Sequence, residues 1–298
     1  MSGLIDDAAH AQALAWTWQG KTIDLGLDWR GEGRTILLLP ALSSISTRRE
    51  MRPLQDRLSA GFRTATIDWP GFGDVARPRF DWSPEIYRAF LEFLLAPAVP
   101  PLHAVIAAGH GAIFALVHAV KNPGSIRRLV LIAPTWRGPL PTMMNGDRPI
   151  FRTVARTIDL PVIGPLLYKL NVSRFVIRRM AAGHVYADPA WLNVDRLREK
   201  LAVTRARGAR FASVRFVTGM LDPLVSREQL LGLAREARFP MLMVYGDQTP
   251  KRSRSEMQSL AAVAGMQSVC LPTGKLSLHE EFPDAVADVI TPFLSEDN

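Results

Sequence analysis

The sequence predicts an α/β chain whose parallel sheet is covered by helices on both faces. Short apolar runs without polar alternation recur along the 298 residues, as expected of strands buried on both sides. Stretches of helical periodicity separate them, and that alternation is the pattern of crossover connections between parallel strands. One stretch, 137–215, breaks the rhythm: it is helical in pattern and holds no convincing buried strand. The expected organisation is therefore one core in two parts, residues 1–136 and 216–298, with 137–215 inserted as a helical cap.

The elements follow in chain order. Trp16 to Ile23 and Leu25 to Trp29 read as a first hairpin, and Thr35 to Leu39 as a short buried strand. A helix with apolar positions at Met51, Leu54 and Leu58 leads to a strand from Arg63 to Trp69. Ser83 and Pro84 resemble an N-cap followed by proline at the first helical position, opening a helix that runs to Leu95. His103 to Ala108 and Arg128 to Ile132 are the next strands. Within the insertion, Phe151 to Ile158, Pro165 to Leu170, Arg174 to Met180 and Val194 to Thr204 have helical spacing. Ser226 and Gln229 read as a capping box, and strands return at Met241 to Tyr245 and Ser268 to Leu271.

Composition narrows the class. Hydrophobic residues make up 48% and charged residues 21%, enough apolar material for one large core. No apolar run reaches the roughly 18 to 20 residues that span a bilayer, and Met1 to His10 lacks the basic start of a signal peptide. The single cysteine, Cys270, excludes an internal disulfide and a cysteine-based zinc cluster. These features point to a soluble protein of the cytoplasm. The net charge of +8 is concentrated in the insertion, where Arg137 to Arg215 holds fifteen Lys and Arg against five Asp and Glu. Such a segment is either a set of solvated helix faces or a surface for an anionic partner.

The turn Ala108-Gly109-His110-Gly111-Ala112-Ile113 follows an apolar run directly and precedes a helix. Strand, sharp turn and helix in that order resemble the nucleophile elbow, GxSxG, of α/β-hydrolases. Other segments carry the same resemblance: ILLLPALSSIS from Ile36, TIDWPGFGDVARP ending at Pro78, RRLVLIAP from Arg127 to Pro134, PMLMVYGDQTP from Pro240 to Pro250, and LHEEFPDAVADVITPFL from Leu278 to Leu294. The resemblance implies the α/β-hydrolase fold, a mostly parallel eight-stranded sheet with a helical cap insertion.

It also implies positions for a Ser-His-Asp triad, and this chain departs from each. Counting from Gly109 puts the nucleophile at Gly111; counting backward from Pro123 leaves the segment about two residues short. The acid position, three residues after Gly246, is Thr249, with Asp247 close by and Asp222 in Gly219-Met220-Leu221-Asp222-Pro223 mimicking the acid motif. The histidine position is Lys275 or Leu276, and His279 lies beyond it. Pro40-Ala41-Leu42 replaces the His-Gly of the oxyanion loop, although the backbone N–H groups of Leu42 and Ala112 remain available as donors. Triad chemistry needs nucleophile, base and orienting group together.

Two function classes follow. The first is a non-hydrolytic member that binds an apolar or lipid-like molecule between core and cap, with Leu42, Gly111, Ala112 and Leu276 among Ser43, Ser44, His110, Asp247, Thr249, Ser277 and His279. Ile158 to Leu170 with Met143, Met144 and Met180 would roof that pocket. The second is an atypical hydrolase or lyase with displaced groups: His110 or His279 as base, Ser43, Ser44 or Ser277 as donor or nucleophile, Asp222 or Asp247 orienting. No metal-ligand spacing appears among the six histidines, no phosphate-binding loop is formed by Gly71-Phe72-Gly73, and no cofactor is called for. No nucleic-acid module is present. Phe175, Val176 and Ile177 beside Arg174, Arg178 and Arg179 point instead to peripheral contact with anionic membrane.

Overall fold

A computed structural model describes residues 11–96 and 102–296. Met1 to His10, read above as lacking a signal-peptide start, lies outside the described residues.

The chain forms an eight-stranded sheet in the order β1-β2-β4-β3-β5-β6-β7-β8. The strands are β1 (Ala11–Trp18), β2 (Lys21–Arg30), β3 (Thr35–Leu39), β4 (Arg63–Ile67), β5 (Ala104–Ala108), β6 (Leu129–Ile132), β7 (Met241–Gly246) and β8 (Met266–Leu271). β2 runs antiparallel to β1 and β4, and all pairs from β4 through β8 are parallel. Ile36–Leu39, Val105–Ala108 and Leu129–Ile132 are fully buried, which explains their unbroken apolar runs.

The first hairpin differs from its expected form. Its turn falls at Gln19-Gly20, not after Ile23, because both residues adopt left-handed backbone angles (φ 47° and 75°) that suit a two-residue hairpin turn. β2 consequently begins at Lys21, and Ile23 and Leu25 lie on one continuous strand.

Helices cover the sheet. α1 (Arg52–Leu58), α2 (Pro84–Leu94) and α3 (Gly109–Lys121) belong to the first part of the core. Between β6 and β7 the chain runs through α4 (Pro139–Met143), α5 (Pro149–Asp159), α6 (Ile163–Asn171), α7 (Arg174–Met180), α8 (Val194–Thr204), α9 (Ala209–Val217) and α10 (Arg227–Glu236). α11 (Lys251–Ala261), α12 (Leu278–Glu281) and α13 (Pro283–Ser295) complete the second part. Ser226 caps α10 by accepting the N–H of Gln229, whose own side chain accepts from Val225 one residue before the expected partner.

The helices from α5 to α9 have a hydrophobic cluster of their own, built on Ile158, Tyr168, Ile177, Tyr186 and Leu197, distinct from the cluster around the sheet. The chain leaves β3 for the outer strand β4 and returns to β5, so the strand order reverses there, and in open α/β sheets the carboxyl ends of the strands at such a point are where ligands bind. That end of the sheet carries the candidate site. Among the described residues no helix is long and apolar enough to cross a membrane.

Candidate functional site

The apex of the strand-to-helix turn is Gly109. β5 ends at Ala108, and Gly109 alone in the turn has a positive φ, 53°. The expectation of Gly111 is corrected accordingly: Gly111 lies two residues into α3, and the two-residue shortfall counted from Pro123 is this same shift. Three loops meet at the apex. A β-carbon added to Gly109 would stand 3.0 Å from Ala41 Cβ and 3.9 Å from Thr135 Oγ1. Thr135 also donates its backbone N–H to the Gly109 carbonyl at 3.1 Å. Trp69 Nε1 fixes the neighbouring loop by donating to the Pro40 carbonyl at 2.7 Å.

Behind Ala41 stands a carboxylate that the sequence reading missed. Glu50 is 3% exposed and accepts the Ala41 backbone N–H at 2.7 Å. Thr47-Arg48-Arg49-Glu50 has capping-box spacing, which would turn the glutamate back toward its own helix end. Tertiary structure takes it elsewhere: Thr47 caps the 3-10 turn Arg48–Met51 through the Arg49 N–H, while the Glu50 carboxylate points at the β3 loop.

His279, fully buried in α12, brings Nε2 to 3.7 Å from Glu50 Oε1, a contact longer than a hydrogen bond. Burial by itself would raise the Glu50 carboxyl, but His279 and then Lys200 outweigh it and hold the group below its ordinary range. Lys200 Nζ in turn meets Glu280 Oε1 at 2.8 Å, and Glu280 accepts the Tyr186 hydroxyl at 2.8 Å. A buried polar chain thus joins the β3 loop, through α12, to the helices between β6 and β7.

On the other side of the apex, His110 Nε2 lies 3.1 Å from Asp222 Oδ1. The same oxygen accepts the Gly138 N–H at 2.8 Å. Burial raises the Asp222 carboxyl, partly offset by His110 and by the Gly138 N–H. The Asp222-Pro223 segment thus delivers a carboxylate to a ring on α3. His110 also packs against Phe216, with ring centroids 5.4 Å apart.

The remaining candidates are less connected. Thr249 is buried after β7 and its Oγ1 has no protein partner; Asp247 Oδ1 is likewise buried and unpartnered. Lys275 Nζ donates to the Ala182 carbonyl at 2.6 Å, Leu276 N to the His184 carbonyl at 3.4 Å, and Ser277 N to the Val185 carbonyl at 3.1 Å. The loop at the expected histidine position is thus sewn to the π-helical turn Ala181–Val185. Ser43 Oγ accepts the Ile45 N–H at 3.3 Å, and Leu42 and Ala112 are buried. Among the described residues, Ser43, Ser44 and Ser277 make no side-chain hydrogen bond to either histidine, and the hydroxyl that bears on Glu50 is that of Ser46.

The structure corrects the expected roof of the pocket, and its two described cavities lie elsewhere. The cavities described, of about 640 Å³ near Arg34, His103 and Arg238 and about 440 Å³ near Lys21, Arg79 and Asp159, touch no candidate pocket residue. The proposed roof does not face the core either: Met143, Met144, Val162, Ile163, Leu166 and Leu170 are exposed to solvent. The reason is packing within the helical segment, which buries Gly164 and Tyr168 of α6 and turns its other face outward. Among the described residues no group of three or more His, Cys, Asp or Glu side chains could hold a metal ion.

The chain matches the model of the alpha/beta hydrolase family over residues 36–289. Among solved structures it is similar to a thermophilic esterase from Thermogutta terrifontis, at 18% identity and TM-score 0.68, covering 95% of this chain and 98% of that one. It is similar to the Cif epoxide hydrolase from Acinetobacter nosocomialis at 16% identity and TM-score 0.71, covering 97% and 90%. The haloalkane dehalogenase DatA from Agrobacterium tumefaciens C58 matches at 17% identity and TM-score 0.68, covering 96% of each chain. No curated protein matches in sequence. At these identities the structural likeness speaks for the fold.

Proposed function

We propose that this chain, which belongs to the alpha/beta hydrolase family, binds a small apolar or lipid-like molecule at the carboxyl ends of β3, β5 and β7 without forming an acyl-enzyme. The observation that carries this reading is the apex: Gly109 keeps the strained turn and presents only a hydrogen. An acyl-enzyme needs an attacking atom, a base in reach of it and a group orienting the base. Thr249 replaces the carboxylate, and the ammonium of Lys275 is engaged with the Ala182 carbonyl. What supports binding is the pair of orphaned polar atoms, Thr249 Oγ1 and Asp247 Oδ1, at the same end of the sheet as apolar Leu42, Ala112 and Leu278. Because those residues are covered, the ligand enters by displacement of the helical segment, which acts as the cap. Similarity to an esterase, an epoxide hydrolase and a dehalogenase supports a small molecule over a macromolecule. The lone Cys270 is in keeping with a reducing cytoplasm.

The test joins native mass spectrometry of the purified chain with fluorophosphonate labelling. A retained or titratable apolar molecule and an unlabelled protein are expected. Covalent label on any serine at this end of the sheet overturns the non-acylating reading, and failure to take up any of a panel of fatty acids and esters overturns the binding reading.

A second reading is favoured by the His110–Asp222 contact: an atypical hydrolase or lyase in which Asp222 orients His110 as base toward water. Turnover of acyl esters that disappears in His110→Ala would establish it.

A further inference from the structure

The helix α6 is turned inside out. Ile163, Leu166, Leu167 and Leu170 recur at i, i+3, i+4 and i+7, the stripe that an amphipathic helix normally buries. Here the stripe faces solvent: Leu166 is 61% and Leu170 60% exposed, while Gly164 and Tyr168 on the opposite side make the packing contacts. Val162 just before the helix is 80% exposed and Phe175, in the next helix, 75%. A run of large apolar side chains this open marks an interaction surface, since soluble surfaces rarely gather them contiguously.

Charge selects the partner. Lys169 on α6 and Arg174, Arg178 and Arg179 on α7 are exposed, and so are Arg152 and Arg156 on α5. None of these six cations is paired with a carboxylate among the described residues. Between Pro149 and Met180 the one acidic residue, Asp159, is already engaged by Arg215. Exposed apolar side chains alternating along the chain with unpaired Lys and Arg on short helices are the composition of an element that lies in a lipid interface.

We infer that the α6–α7 face docks on an anionic membrane surface, with the α6 stripe and Phe175 inserted among the acyl chains and the Arg and Lys side chains on the headgroups. The exposed part of the segment expected from Phe175-Val176-Ile177 reduces to Phe175, because Ile177 is buried in the cluster of the helical segment. α6 supplies the rest. No span is involved: α6 is nine residues long. Neither α6 nor α7 supplies a residue that touches Gly109, so vesicle binding is read out separately from ligand uptake at the apex.

The experiment is co-sedimentation of the full chain with phosphatidylcholine vesicles, with and without phosphatidylglycerol, at low and high salt. Binding is expected to phosphatidylglycerol vesicles alone and to weaken as salt screens the headgroups. Leu166→Ser with Phe175→Ser should reduce partitioning at least about tenfold, and Arg174→Glu with Arg178→Glu about tenfold or more. Both variants should melt like the wild-type chain, since the replaced side chains are exposed. Equal binding to neutral vesicles, no binding, or variants that partition like wild type overturns the inference. So does a dimer in sedimentation velocity that Leu166→Ser with Phe175→Ser splits while vesicle binding stays unchanged, because the face would then belong to a second copy of the chain.

Discussion

Glu50 accepts the Ala41 backbone N–H at 2.7 Å, so a buried carboxylate anchors the loop that presses on the apex glycine. Charge-assisted bonds of this kind are worth more than neutral ones, and truncating one partner leaves the other unsatisfied in the interior. Glu50→Ala is expected to cost about 3 kcal/mol in urea unfolding at neutral pH, and Glu50→Gln less, because the amide oxygen still accepts from Ala41. Equal losses in the two variants would show that the charge, not the acceptor, matters.

The same group carries a pH signature. Its carboxyl is held below the ordinary glutamate value by His279 and Lys200 against the effect of burial, so its stabilisation is full above the ordinary value and is lost as pH falls toward the lowered one. The stability difference between wild type and Glu50→Gln should therefore shrink below roughly pH 4.3, the ordinary range of a glutamate. A difference that grows on acidification would contradict the assignment.

Asp68 behaves in the opposite sense. Burial pushes its carboxyl up to about 6 even though Arg48 meets it at 2.7 Å and donates its backbone N–H to it at 2.6 Å. A raised carboxyl is protonated in the folded chain while the unfolded chain is ionised, so its contribution to stability falls as pH rises from about 4 to about 6. Relative to Asp68→Asn, wild type should be more stable at pH 4 than at pH 7 by about 2–3 kcal/mol. Unfolding of both proteins across that range measures it directly, and a flat difference refutes it.

Gly109→Ser places a hydroxyl at the apex. The new β-carbon meets Ala41 at 3.0 Å and sits on a φ of 53°, so the variant should fold with a loss of about 1–3 kcal/mol. It should not hydrolyse p-nitrophenyl esters, because no base stands at Lys275 or Leu276. A burst of p-nitrophenol from this variant would reveal a working base and support the reading in which His110 or His279 supplies it.

His110 and Asp222 can be tested as a pair. With 3.1 Å between Nε2 and Oδ1, a double-mutant cycle of His110→Gln and Asp222→Asn should return a coupling of about 1 kcal/mol or more. Coupling near zero would leave Asp222 as the acceptor for Gly138 alone.

The sequence by itself determined the sheet and its connections. The runs at Ile36, Ala104, Leu129 and Met241 are apolar because both faces of those strands are buried, and that pattern is local. The elbow region was legible for the same reason, although its apex was off by two residues: a glycine in either place reads alike until the backbone angle is known. Only the tertiary structure decided the partners. Glu50 and Ala41 are nine residues apart, His110 and Asp222 more than a hundred, and no spacing rule links residues that different loops bring together at one end of the sheet. It also decided which way α6 faces, since an apolar stripe at helical spacing reads as core or as surface alike, and the packing of Gly164 and Tyr168 settled it toward solvent.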